Sequence, residues 1–119
     1  MDNKTIINAY KSLGRISCQK LPLPLAYKIF KLREKMKPVW DFLLEEETKL
    51  LDEYKPEIQD GGTIVFKSVS DKQTYERRIN DLYSMESDMQ FNQIIMPLSD
   101  DISITPDDVA ALEPLITFQ

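Results

Sequence analysis

Leu25, Ile29, Leu32, Met36, Val39 and Leu43 follow one another at alternating spacings of four and three residues. That is the seam of a helix presenting one apolar stripe to a neighbour. Glu46 interrupts the series and Leu50 resumes it, while Phe30, Trp40, Leu44, Leu51 and Tyr54 form a second stripe that widens the apolar face. Pro22 and Pro24 disfavour helical geometry for the residues before them, and Pro24 fits the first helical turn, where its missing N–H costs nothing. The pattern predicts one helix over residues 24–54, about 45 Å long at the rise of an α-helix. Pro38 lies inside it and cannot donate to the carbonyl of Glu34, so a kink is expected there. A helix of this length exceeds what a small domain buries comfortably, and the seam is expected to carry self-association.

The flanking segments supply the rest of the fold. Ile6, Ile7, Tyr10 and Leu13 predict a helix over 3–13, with Gly14 as its C-terminal stop. Pro56 and the Asp60-Gly61-Gly62 cluster mark a turn within 57–67, followed by the strand Thr63-Ile64-Val65-Phe66, against which Glu57-Ile58-Gln59 can pair as a hairpin. Ser70 and Gln73 have capping-box spacing at the start of a helix over 70–86, with Tyr75, Ile79, Leu82 and Tyr83 facing inward. Met89, Phe91 and Gln93 alternate with polar residues, predicting a strand over 88–95. A short helix over 105–113 is capped by Thr105, with Pro106 at its first position and Asp107 and Asp108 in its first turn. Ile104 and Val109 are spaced as a hydrophobic staple, and the tail Leu115–Gln119 is apolar enough to be expected to dock on the body. The expectation is α+β: one domain over 1–119, a long kinked helix packed with shorter helices and a small two- or three-stranded sheet.

Composition narrows the chemistry. The chain has 119 residues and no histidine, which removes the commonest general base and metal ligand and excludes Ser-His-Asp and Cys-His arrangements. No phosphate-cradling glycine motif is present, and the acid clusters Glu45-Glu46-Glu47, Asp100-Asp101 and Asp107-Asp108 lack the spacing of a calcium loop. The first cluster suits a solvated helix face and the last suits helix capping. The reading is of a non-enzyme with no catalytic residue, no metal, no cofactor and no small-molecule substrate. The single cysteine, Cys18, excludes an internal disulfide and is expected to be a small buried side chain in a reducing cytoplasm. No apolar run reaches the roughly 20 residues of a membrane span, and the polar N-terminus lacks the pattern of a signal peptide.

Charge is divided unevenly. Up to Trp40, nine Lys/Arg stand against Asp2 and Glu34, giving +7; from Asp41 onward, six stand against eighteen Asp/Glu, giving −12; together they make the net −5. Lys28, Lys31 and Lys35 share one face of the long helix, flanked by Arg33 and Lys37. Cations in the first half of a helix oppose its dipole, so a compensating partner is expected. Three readings stay open: a solvated lysine face, a contact with an acidic protein surface such as the acidic half of another copy, and a nucleic-acid contact. The last wants exposed aromatics among the cations, whereas Tyr27, Phe30 and Trp40 are expected in the core.

The Leu-Pro pair Leu21-Pro22 with Ala26, Tyr27 and Lys28, then Leu50, Leu51 and Tyr54, then Ile104, Thr105, Pro106, Ala111, Leu112 and Glu113 carry a resemblance. In this order the chain is similar to a group of small proteins without assigned activity, encoded by tailed bacteriophages and prophages of Gram-positive bacteria. The resemblance spans most of residues 8–116, and this chain departs from the group in a shorter glycine hairpin and in Trp40. It implies a phage origin, with the host bacterial cytoplasm or the virion as its place. The expected function is that of a non-catalytic phage interaction protein acting through its long helix, as a homo-oligomer, in virion morphogenesis. The alternative is an acidic phage inhibitor of a host defence or nucleic-acid-binding protein.

Overall fold

The computed structural model describes residues 1–99 and 101–119, so Asp100 of the Asp100-Asp101 pair lies outside the described residues. Four helices and two small sheets follow in the order α1 (Asn3–Ile16), α2 (Leu23–Tyr54), β1 (Glu57–Ile58), β2 (Ile64–Val65), α3 (Val69–Ser84), β3 (Ile94–Met96), α4 (Pro106–Leu112) and β4 (Ile116–Phe118). The α+β class and the long helix are as the sequence predicts. The single small sheet is not: β1 and β2 form an antiparallel hairpin, and β3 pairs in parallel with β4, so there are two separate two-stranded sheets.

Helix α2 runs unbroken through Pro38 for 32 residues. At a rise of about 1.5 Å per residue it spans roughly 48 Å, which sets the longest dimension of the molecule, 50 × 33 × 20 Å. The radius of gyration is 17.2 Å, against roughly 13–14 Å for a compact domain of this length. The excess comes from a helix whose two halves do different work. Its first half, with Leu25, Ile29, Leu32 and Met36, packs with Ile6, Ala9, Leu13 and Ile16 of α1, with Ile94 and Met96 of β3, with Leu112 of α4 and with Leu115 and Ile116 at the tail. Its second half carries α3 and the hairpin as an arm, with α3 also tied to α1 where the Asn3 side chain donates to the Leu82 carbonyl at 3.0 Å. There Tyr54 meets Tyr75 edge-on at 6.2 Å, Phe66 lies 4.9 Å from Tyr75, and Arg78 pairs with Glu53 at 2.8 Å. No residue of α3 is fully buried. The face expected to point inward, Tyr75, Ile79, Leu82 and Tyr83, is half-buried. Tyr83 donates its hydroxyl to the Glu47 carboxylate, and partial burial together with that bond pushes its pKa up to about 12.

Boundaries differ from expectation where local signals were outvoted. Helix α1 does not stop at Gly14 but continues to Ile16, with Ser17 still in right-handed geometry as its C-cap. The cap of α3 is Ser68, which accepts from the Asp71 N–H at 3.0 Å, and not Ser70. The strand expected over 88–95 is the shorter β3, displaced to Ile94–Met96, and the tail forms its partner β4. Cys18 is exposed, with its Sγ 3.3 Å from the Gly14 carbonyl, because it lies in the turn after α1 and not on the packed face. Thr105 caps α4 as predicted, accepting from the Asp108 N–H at 3.1 Å.

Helix α2 ends at Lys55, whose φ of 44° is the one left-handed non-glycine backbone among the described residues. Its N–H donates to the Leu51 carbonyl at 2.8 Å, the bond of a helix stop normally built with glycine. Lys55→Gly is expected to raise stability by about 0.5–1 kcal/mol, since glycine enters this region without the Cβ clash. Urea unfolding measures it, and a neutral or lower midpoint would show that the Lys55 conformation carries no strain.

Candidate functional site

The stripe expected to join two copies closes the core of one. Leu25, Ile29, Leu32 and Met36 belong to the central cluster, Leu43 is buried further along α2, and Val39 is half-buried against the cluster. Of the aromatics expected in the core with them, Tyr27 is 59% exposed and Phe30 55%, while Trp40 is half-buried. The physical reason is width. Helix α1 with the β3–β4 pair covers one side of α2; of the second stripe, Phe30 and Leu44 stay exposed while Trp40, Leu51 and Tyr54 are half-buried. Aromatic surface thus stands among the cations of the first half of α2.

Two open sites flank that aromatic ridge. On one side lies a groove of about 320 Å³ lined by Tyr27, Lys28, Lys31, Lys35, Phe91 and Gln93, with the neighbouring Leu32, Asn92 and Ile94 at its floor and wall. The three predicted lysines are therefore brought together, and no acidic residue lines the groove with them. Lys31 Nζ sits 5.7 Å from the Tyr27 ring centroid, and Lys35 Nζ sits 5.0 Å from that of Phe91 while donating to the Gln90 carbonyl. None of the three makes an ion pair among the described residues, where the pairs are Met1–Glu86, Arg15–Asp108, Lys49 with Glu45 and Glu46, and Arg78–Glu53. Phe91, Asn92 and Gln93, within the 88–95 segment expected as a strand, supply the far wall as irregular chain ahead of β3.

On the other side, between α1 and α2, lies a cleft of about 520 Å³ lined by Tyr10, Gln19, Leu21, Phe30, Arg33 and Lys37, with Ser17, Ala26 and Glu34 completing it. The Arg33 guanidinium lies over the Tyr10 ring at 4.3 Å, Tyr10 stacks on Trp40 at 5.1 Å, and Lys11 stands 5.8 Å above Trp40. Two stacked rings thus stand between two cations across the two helices, each pair adding about 0.5–1 kcal/mol.

No family model, no curated protein and no solved structure matches this chain. The site must therefore be read from its own chemistry. Both openings are cationic and partly aromatic. Among the described residues no group of His, Cys, Asp and Glu is placed to hold a metal ion. No described helix is long and apolar enough to cross a membrane.

The acid clusters fall elsewhere. Glu45 and Glu46 pair with Lys49 on the surface of the arm, at 3.7 and 3.2 Å. Asp108 does more than serve the dipole of α4. It is buried and accepts from Ser12 Oγ at 2.9 Å and from the Arg15 guanidinium, binding α4 to α1. The Arg15 hydrogen bonds hold the Asp108 carboxyl below the usual carboxylate range, aided by Ser12 and opposed by burial. Sequence reasoning found the lysines but missed Tyr10, Phe91 and the exposure of Tyr27 and Phe30. The one available signal was Gly14, a residue without a side chain on the face of α1 that meets Arg33.

Proposed function

We propose that the protein is a non-catalytic phage interaction protein whose long helix binds an acidic protein segment in the groove of Lys28, Lys31 and Lys35. The observation that carries this reading is three unpaired lysines converging on an open groove with aromatic edges and no acid in its lining. Such a groove attracts carboxylates from a distance and offers Tyr27 and Phe91 as apolar contacts once they arrive. The resemblance to phage-encoded proteins supplies the setting.

Charge distribution favours a protein segment over a nucleic acid. A nucleic-acid strand needs a cationic track along its backbone, and here the track ends at Lys37, beyond which the chain carries −12. A short acidic segment fits the cationic half without meeting the acidic arm. The acidic arm of a second copy is one such segment.

Fluorescence anisotropy with a labelled oligoglutamate peptide tests the reading. The wild type is expected to bind with an affinity that falls as salt rises, and Lys28→Gln/Lys31→Gln/Lys35→Gln to weaken binding by about tenfold or more. Tighter binding of a single-stranded oligonucleotide at the same salt would transfer the groove to nucleic acid. Equal binding by the wild type and the triple variant would sink both.

A further inference from the structure

We propose that the cleft between α1 and α2 is a second binding site, one that takes a small flat anion: an aromatic or similarly planar carboxylate or phosphate monoester. The sequence reading anticipates no such ligand.

Arg33 carries the inference. Its Nε is the one buried side-chain polar atom without a hydrogen-bond partner among the described residues, and its guanidinium enters none of the side-chain hydrogen bonds or ion pairs found there. Buried polar groups are normally satisfied, so an Nε with no acceptor asks for an explanation. The C-terminus of α1, which Gly14 brings against the guanidinium, is capped by its own residues. Leu13 accepts from the Ser17 N–H at 2.9 Å, Gly14 from Ser17 Oγ at 2.9 Å, Arg15 from the Cys18 N–H at 3.3 Å and Ile16 from the Gln19 N–H at 3.0 Å. Arg33 is held at the cleft without being needed there for capping.

The fork is also held still. Tyr10 supports one face of the guanidinium at 4.3 Å, and Gly14 makes room for its edge: a Cβ on Gly14 would stand 3.0 Å from Arg33 Nη2 and 3.4 Å from Cζ. A glycine inside a helix is unfavourable relative to alanine, so its place here matches the space the guanidinium occupies. A planar fork fixed in advance loses little freedom on meeting a carboxylate or phosphate, and that is the usual way such groups are recognised.

The rest of the cleft fits the remainder of such a ligand. Phe30, Leu21 and Ala26 provide an apolar wall, and Ser17 and Gln19 provide polar contacts, although the Gln19 amide already bonds Ser103. Lys37 adds a second cation and Glu34 one acid, leaving the lining with a surplus of positive charge. At about 520 Å³ the cleft has the size of small-molecule sites.

Trp40, the single tryptophan, stacks on the ring that carries Arg33, so its fluorescence reports occupancy directly. Phenyl phosphate and benzoate are the probes, titrated against the full chain by tryptophan fluorescence and calorimetry, with benzyl alcohol as the uncharged comparison. Saturable binding of an anion and none of the alcohol is expected; which anion binds more tightly tells a phosphate site from a carboxylate site. Arg33→Gln is expected to weaken binding by about tenfold to a hundredfold. Arg33→Lys, which keeps the charge and loses the fork, should fall between. Gly14→Ala displaces the guanidinium from its seat and should also weaken binding, whereas Lys72→Gln on α3 should leave it unchanged. Circular dichroism checks that each variant is folded, and either Arg33→Lys or Gly14→Ala decides the matter if Arg33→Gln is not. Absence of saturable binding by the wild type, or unchanged affinity in the folded Arg33 and Gly14 variants, overturns the proposal.

Discussion

Met36→Ala is expected to destabilise the protein by about 2–5 kcal/mol, lowering the thermal midpoint by roughly 10 °C or more. Met36 is fully buried, at 0% exposure, where α2 meets α1, β3 and α4. Removing its side chain leaves a cavity on a helix anchored on several sides, so the surroundings cannot collapse into it. A domain of this size has only about 5–15 kcal/mol in total, so the change is severe. The same variant separates two uses of the Leu25–Leu43 stripe. If the stripe is the core of one chain, the midpoint falls by the same amount at every protein concentration. If it joined two copies, the loss would grow on dilution and the molecular mass would change with it. Differential scanning calorimetry over a wide concentration range, with light scattering, measures both. A midpoint within about one degree of the wild type would mean that Met36 lies outside the core.

The stripe was legible because helical periodicity does not depend on what covers it. Spacings of four and three state which side of α2 is apolar, and Leu25, Ile29, Leu32 and Met36 are buried on that side. They do not state whether the cover is another copy or the same chain returning. Here it is the same chain, through partners remote in sequence: Ile6 and Leu13 before α2, Met96 and Leu112 after it. The β3–β4 pair was hidden for a related reason. Its parallel register, Ile94 with Ile116 through Met96 with Phe118, joins segments separated by a helix, and parallel strands bear no hairpin signature. The apolar run Ile94-Ile95-Met96 before Pro97 was the local sign, and the polar–apolar alternation just upstream masked it.

Punctuation was read well where it had a single meaning. Thr105-Pro106 starts α4, and Gly61 and Gly62, at φ of 86° and 82°, turn the hairpin. It was misread where a residue served two ends. Gly14 has the chemistry of a helix stop, yet its lack of a Cβ is used sideways, to seat Arg33. Of the candidate site, the lysines followed from charge spacing alone. The stack of Arg33, Tyr10, Trp40 and Lys11 required knowing that α1 lies along α2, which no local pattern states.

The second large effect is expected at Asp108. It is 4% exposed and accepts hydrogen bonds from Ser12 and Arg15, the tie that holds α4 on α1. Asp108→Ala leaves the buried Ser12 hydroxyl without its acceptor and the guanidinium without its anion. Loss of one partner from a fully buried pair costs several kcal/mol, but Arg15 is 60% exposed and can turn to water. The expected loss is therefore about 2–3 kcal/mol at neutral pH. Its pH dependence has a definite sign. Hydrogen bonding from Arg15 lowers the folded-state pKa of Asp108, so the unfolded chain binds the proton more readily. The stabilisation is fully present above the unfolded value of about 3.9 and is lost as pH falls through the lower folded value. Urea unfolding of the wild type and Asp108→Ala should differ most from about pH 5 to 7 and converge in more acidic solution. A difference that stays constant down to pH 3, or one below about 1 kcal/mol at pH 7, would show that Asp108 holds α4 by shape alone and that its charge contributes nothing.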